Sequence, residues 1–143
     1  MTEKNKETDS LKIYGIAPLL YVYDLPTSLA FYRDKLEFQI NLQSEPEAGD
    51  DCNFVYLKMD EIELMLNTQY EKKNRPAVAD ANRIKIHADT VLYFGCSDID
   101  GLHKKFTAKG LIVKGPVITQ YNFKAIYFSD PDGYGLCFHW PIK

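Results

Sequence analysis

IYGIAPLLYVYDLPTSLAFYRDKLEFQI, residues 13–40, holds a strand, a helix and the start of a second strand in one run. Ile16 to Tyr23 is rich in β-formers. Asp24 then offers a helix N-cap, and Pro26 falls in the first turn, where a missing N–H costs nothing. Leu25, Leu29, Tyr32 and Leu36 follow at spacings of four, three and four, one apolar stripe of a helix. Phe38 to Leu42 reads as the next strand, and SEPEAGDD (44–51) as a polar loop.

Working outward, FVYLKM (54–59) and IELMLN (62–67) flank Asp60-Glu61 and predict a hairpin with a two-residue turn. That register places Met59 opposite Ile62, Leu57 opposite Leu64 and Val55 opposite Leu66 on one apolar face. Phe54, Tyr56 and Lys58 share the other face with Glu63, Met65 and Asn67. Lys58 then lies across from Glu63, close enough for an ion pair. Residues 68–89 are polar and carry a run of cations, a connector with room for a short helix or an edge strand.

The second half repeats the first. TVLYFGCSDIDGLHKKFTAKGLIV (90–113) reads as strand, Asp98 cap, helix, Gly110 stop and strand, with Ile99, Leu102 and Phe106 as the stripe. AIYFSDPDGYGLCFHW (125–140) reads as strand, Pro-Asp-Gly turn, strand. Asp24 maps onto Asp98 and Glu63 onto Cys137 with the same offset of 74 positions. A unit of strand, helix and three strands therefore occurs twice. Module one spans about 13–67, the connector 68–89 and module two about 90–141, within one domain over 11–143; residues 1–10 read as a mobile tail. Each helix stripe covers one sheet face. Two such sheets edge to edge leave a curved trough on the other.

Composition narrows the function. With 17 Lys and Arg against 20 Asp and Glu, the net charge of −3 excludes a basic nucleic-acid binder. Hydrophobic residues at 45% exclude wholesale disorder, and ten Tyr with eight Phe supply rings for a pocket or interface. Cys52, Cys96 and Cys137 are odd in number, with no C-x-x-C pair, which predicts a reducing cytoplasm. No apolar leader opens the chain, and the apolar stretch Ile16 to Tyr23 is too short to span a membrane.

DLPTSLAFYRDKLEF (24–38), DIDGLHKKFTAKG (98–110) and FSDPDGYGL (128–136), in order and duplicated, resemble the vicinal-oxygen-chelate superfamily of glyoxalases, bleomycin-resistance proteins and extradiol dioxygenases. The resemblance covers about residues 13–141. It implies an α+β fold: two βαβββ modules forming an eight-stranded open barrel-like sheet, helices outside. It also implies four metal-ligand positions, which here are Ala17, Glu63, Val91 and Cys137. Only Glu63 matches. Ala and Val cannot ligate, and a catalytic zinc or iron usually needs three protein ligands. The chain thus looks closest to the bleomycin-resistance branch, whose members bind without metal.

If position 17 faces the trough, as the resemblance implies, strand alternation carries Tyr21 with it. The candidate ligand-binding set is Tyr21, Phe54, Tyr56, Glu63, Met65, Tyr93, Phe123, Tyr127 and His139, with no metal, cofactor or catalytic residue. For Glu63 three readings stay open: general base, anchor for a polar group of the ligand, or half of an ion pair with Lys58. Cys137 and His139 read as a buried thiol and a hydrogen-bonded imidazole, and Cys96 as a small buried core residue. His103 reads as solvent-facing, and His87 carries no legible role. The expected protein is a metal-independent binder of an aromatic small molecule such as an antibiotic, and a homodimer. The alternatives are a metal-dependent or acid/base lyase, isomerase or dioxygenase, and an interaction module whose trough is filled by its own side chains.

Overall fold

The computed structural model describes residues 11–143; the tail expected over residues 1–10 lies outside the described residues. Strand β1 (Leu19–Val22) leads into helix α1 (Leu25–Leu29), which continues as a π-helical turn over Ala30–Lys35. Strands β2 (Gln39–Gln43), β3 (Phe54–Met59) and β4 (Ile62–Thr68) complete module one. The connector holds a 3₁₀ turn (Lys72–Asn74) and helix α2 (Ala81–His87). Module two is β5 (Val91–Gly95), α3 (Ile99–Ala108), β6 (Lys114–Ile118), β7 (Phe123–Ser129) and β8 (Gly135–Pro141).

The duplication is visible in the strand order. One sheet runs β1-β4-β3-β2 and the other β5-β8-β7-β6, with β1 parallel to β4 and β5 parallel to β8. The β3–β4 register is the one the hairpin reading gives, Val55 to Leu66, Leu57 to Leu64 and Met59 to Ile62. Asp24 caps α1 by accepting from the Thr27 amide at 2.7 Å, and Asp98 caps α3 by accepting from Gly101 at 2.9 Å. All four residues of the first stripe, Leu25, Leu29, Tyr32 and Leu36, are buried.

Two strand boundaries differ from expectation. β1 begins at Leu19 rather than Ile16, because Pro18 has no N–H to pair and offers only its carbonyl, to Met65 at 2.8 Å. β6 begins at Lys114 rather than just after Gly110. The Leu111 amide is still engaged in closing α3, bonded to Phe106 O at 3.1 Å, while Gly110 takes φ +88°. Among the described residues no helix is long and apolar enough to cross a membrane.

One hydrophobic core joins the modules. Val22, Val55, Leu57 and Leu66 from the first sheet and Ile126, Leu136 and Phe138 from the second belong to the same buried cluster as both helix stripes. Phe31 of the π-helical turn meets Phe128 of β7 at 6.1 Å between ring centroids. Burial of each such side chain is worth about 1.5–3 kcal/mol.

The turn after β7 adds a polar clasp. Buried Asp130 accepts from the Tyr32 hydroxyl at 2.6 Å and from the amides of Asp132 and Tyr134 at 2.9 Å each. Buried Asp132 accepts from the Tyr23 amide at 2.7 Å. His87, whose role the sequence hides, stacks on Tyr134 at 4.1 Å and lies 2.8 Å through Nδ1 from the Asp132 carbonyl. Arg75 pins the connector to the loop before β3 through a two-pronged bond to Asp51 at 2.7 and 3.1 Å.

Candidate functional site

Alternation along the second sheet sends Phe94, Leu136 and Phe138 into the core and Tyr93, Cys137 and His139 to the opposite face. There Tyr93, Phe123, Tyr127 and His139 surround a pocket of about 380 Å³, together with Thr119, Gln120 and Tyr121. The His139 ring stacks on Phe123 at 4.6 Å and meets Tyr93 edge-on at 5.1 Å. Tyr127 stands opposite Cys137 in the register, so the two side chains share one face of the sheet. Burial pushes both the Tyr127 hydroxyl and the Cys137 thiol above their usual pKa values, so both are held protonated at neutral pH. Tyr93 is 60% exposed, which leaves one ring face open at the rim.

The corresponding face of the first sheet carries Tyr21, Phe54, Tyr56, Glu63 and Met65, with Tyr56 paired to Met65 and Phe54 to Asn67. Lys58 and Glu63 are opposed in the register, yet neither enters any of the ion pairs among the described residues. Glu63 instead accepts from the Tyr56 hydroxyl on the diagonal, which raises the Tyr56 pKa. Both side chains of the expected pair are exposed, where an ion pair gains little over water. Glu63 and Tyr93 also line a common pocket of about 330 Å³ beneath the extended chain at Tyr14–Pro18, and this is where the candidates of the two sheets meet.

Two readings of single residues change. Cys96 is partly exposed rather than a buried core residue, and His103 is half-buried rather than solvent-facing. Thr119, Gln120 and Tyr121 complete the pocket and were absent from the candidate set. They lie in the β6–β7 turn, where Asn122 takes φ +63°. The Tyr-Asn-Phe-Lys run at 121–124 gave only an aromatic signal, and the turn that folds it over the sheet has no fixed spacing to read.

The model of the Glyoxalase/Bleomycin resistance protein/Dioxygenase superfamily matches residues 15–138. The chain belongs to that superfamily. Among its superfamily relatives, the metallothiol transferase FosB of Bacillus licheniformis is 31% identical over 134 residues, 90% of this chain and 76% of that protein. Of the solved structures, a bleomycin-binding protein complexed with bleomycin superposes with a TM-score of 0.67 at 14% identity, covering 91% of this chain and all of the other. The antibiotic binding protein TnmS3 from Streptomyces sp. CB03234 gives 0.62 at 19% identity, covering 92% and 99%. A lactoylglutathione lyase from Agrobacterium tumefaciens gives 0.63 at 19% identity, covering 90% and 94%. At these identities the superpositions establish the shared fold.

The donor set does not fit the metal centre of the superfamily's enzymes. Ala17 and Val91 bring no donor atom. The Cys137 thiol is buried and raised in pKa by that burial, and Glu63 is turned to Tyr56. Among the described residues no group of three or more His, Cys, Asp or Glu is placed to hold an ion. What the arrangement offers is ring surface, neutral hydroxyls and one imidazole.

Proposed function

We propose that this protein is a metal-independent binder that takes a flat aromatic small molecule, an antibiotic among the candidates, into the pocket of the second sheet. The observation that carries the reading is the convergence of Tyr93, Phe123, Tyr127 and His139 on one pocket of about 380 Å³. That size lies within the roughly 300–1,000 Å³ of small-molecule sites, and rings recognise rings by stacking. Tyr21, Phe54, Tyr56, Glu63 and Met65 extend the recognition surface on the first sheet, with Glu63 or Lys58 fixing a polar group. Residues 11–143 act as one ligand-binding unit in this reading, and three free cysteines suit a cytoplasmic setting. Calorimetric titration with bleomycin and with a planar anthracycline tests it. One-to-one binding that survives exhaustive chelation is expected; a tightly held equivalent of zinc, iron or manganese per purified chain would overturn it.

A homodimer belongs to the same proposal. Leu19, Tyr21, Val91 and Tyr93 are each at least 41% exposed at the start of the two modules, apolar surface that a second copy would cover. Light scattering at tens of micromolar decides between monomer and dimer.

The Bacillus relative, a metallothiol transferase by name, favours a second reading as a metal-dependent or acid/base enzyme in which Glu63 and His139 share proton handling. Retention of any turnover detected after Glu63→Gln and His139→Ala would dismiss that role.

A further inference from the structure

A second pocket lies on the other side of the sheets. Phe94 and Phe138 point into it from β5 and β8, the strands whose next residues, Tyr93 and His139, point to the aromatic pocket. Leu36, Leu102 and Phe106 wall it from the helices, and Met59 and Ile62 close it from the β3–β4 hairpin. Its volume is about 440 Å³, room for about 15 waters at 30 Å³ each. The inner walls, Leu36, Leu102, Phe94, Phe106 and Phe138, are apolar, so an apolar guest displaces the waters against them favourably.

The mouth has a charge preference. Asp60 and Glu61, the hairpin turn, stand at it together with Lys105. Lys105 pairs with Glu37 at 3.0 Å, a carboxylate it shares with Lys109 at 3.9 Å. Asp60 and Glu61 enter none of the ion pairs or side-chain hydrogen bonds among the described residues. Asp60 and Glu61 against Lys105 leave the residues of the opening with a net charge of −1.

We propose that this pocket is a separate ligand site for a compact apolar amine, its hydrocarbon body against Phe94, Phe106 and Leu102 and its ammonium at Asp60 and Glu61. The site is independent of the aromatic pocket and does not rest on the function proposed above.

The test uses the full chain and the amine 1-adamantylamine, with neutral 1-adamantanol as its isostere. Cys96 lies on the pocket wall and is partly exposed, whereas Cys52 and Cys137 are buried, so the rate of thiol labelling by dithionitrobenzoate reads occupancy. Saturating amine is expected to slow Cys96 labelling about tenfold, by mass action at ten times its dissociation constant. The alcohol should need about fivefold more, the worth of one exposed charge contact. Replacing both Asp60→Asn and Glu61→Gln should bring the amine level with the alcohol. Filling the pocket by Met59→Trp, or by Leu102→Trp if the hairpin variant melts early, should abolish protection by both. No saturable protection, equal protection by amine and alcohol in the natural chain, or labelling that slows merely with protein concentration because a second copy covers the mouth would each overturn the proposal.

Discussion

The Tyr32 hydroxyl donates to Asp130 Oδ2 across 2.6 Å, joining the helix of module one to the last hairpin of module two, 98 residues away. Both groups are buried, and the hydrogen bonds to Asp130 come from neutral donors: this hydroxyl and two backbone amides. Burial pushes the Asp130 carboxyl up to about 6, and it also holds the Tyr32 hydroxyl well above its usual value. Tyr32→Phe removes the donor and leaves a buried carboxylate short of one partner. At pH 7 the loss should be about 1.5–3 kcal/mol in urea unfolding. At pH 5, where Asp130 is largely protonated, the loss should shrink.

The same carboxyl predicts a pH profile. Its pKa is raised in the folded state, so the native protein holds a proton that the unfolded chain releases above about pH 4. This contribution is present in full at low pH and is lost as pH rises towards about 6, then stays flat. Its ceiling is about 3 kcal/mol. Thermal melts between pH 4 and 6.5 should show the decline, and Asp130→Asn should flatten it. A profile of the same slope in Asp130→Asn would assign the effect elsewhere.

Arg75 and Asp51 are 15% and 11% exposed at their side chains and hold the connector down by a two-pronged bond. Arg75 lowers the Asp51 pKa by that hydrogen bond, so this contribution has the opposite sign: it is present above about pH 4 and lost as pH falls. Asp51→Asn should destabilise by about 2 kcal/mol at pH 7 and by little at pH 3, as measured by urea unfolding at the two pH values.

Gly133 sits at φ +91° in the clasp turn, and a Cβ there would collide with the Ile84 carbonyl of α2. Gly133→Ala should cost about 2 kcal/mol or more and release α2 first. Hydrogen exchange should show protection lost over Ala81–His87 before it is lost in the sheets.

In the aromatic pocket, His139→Ala removes the ring stacked on Phe123 and edge-on to Tyr93. Affinity for the flat ligand should fall about tenfold, the scale of one or two ring contacts, with a small change in melting temperature. Tyr56→Phe should change affinity less than threefold, because its hydroxyl serves Glu63 on the other sheet. Titration of both variants with the same ligand checks the contrast.

The repeat, the caps at Asp24 and Asp98, the helix stripes and the hairpin register through Val55, Leu57, Leu64 and Leu66 are legible in the chain alone. These are local periodicities, and each is enforced by backbone geometry within a few residues. The chain also carried the loss of donors at positions 17 and 91, since no fold can make Ala or Val ligate. That Glu63 turns to Tyr56 rather than Lys58 emerges in the folded protein, because diagonal and opposed partners compete at a distance that side-chain reach settles. The tertiary structure alone gave His87 a place on Tyr134 and buried Asp130 against Tyr32. It also made a second pocket from residues of both modules, which no sequence spacing connects. Contacts between segments nearly a hundred residues apart leave no period in the chain: they exist only where packing brings two surfaces together.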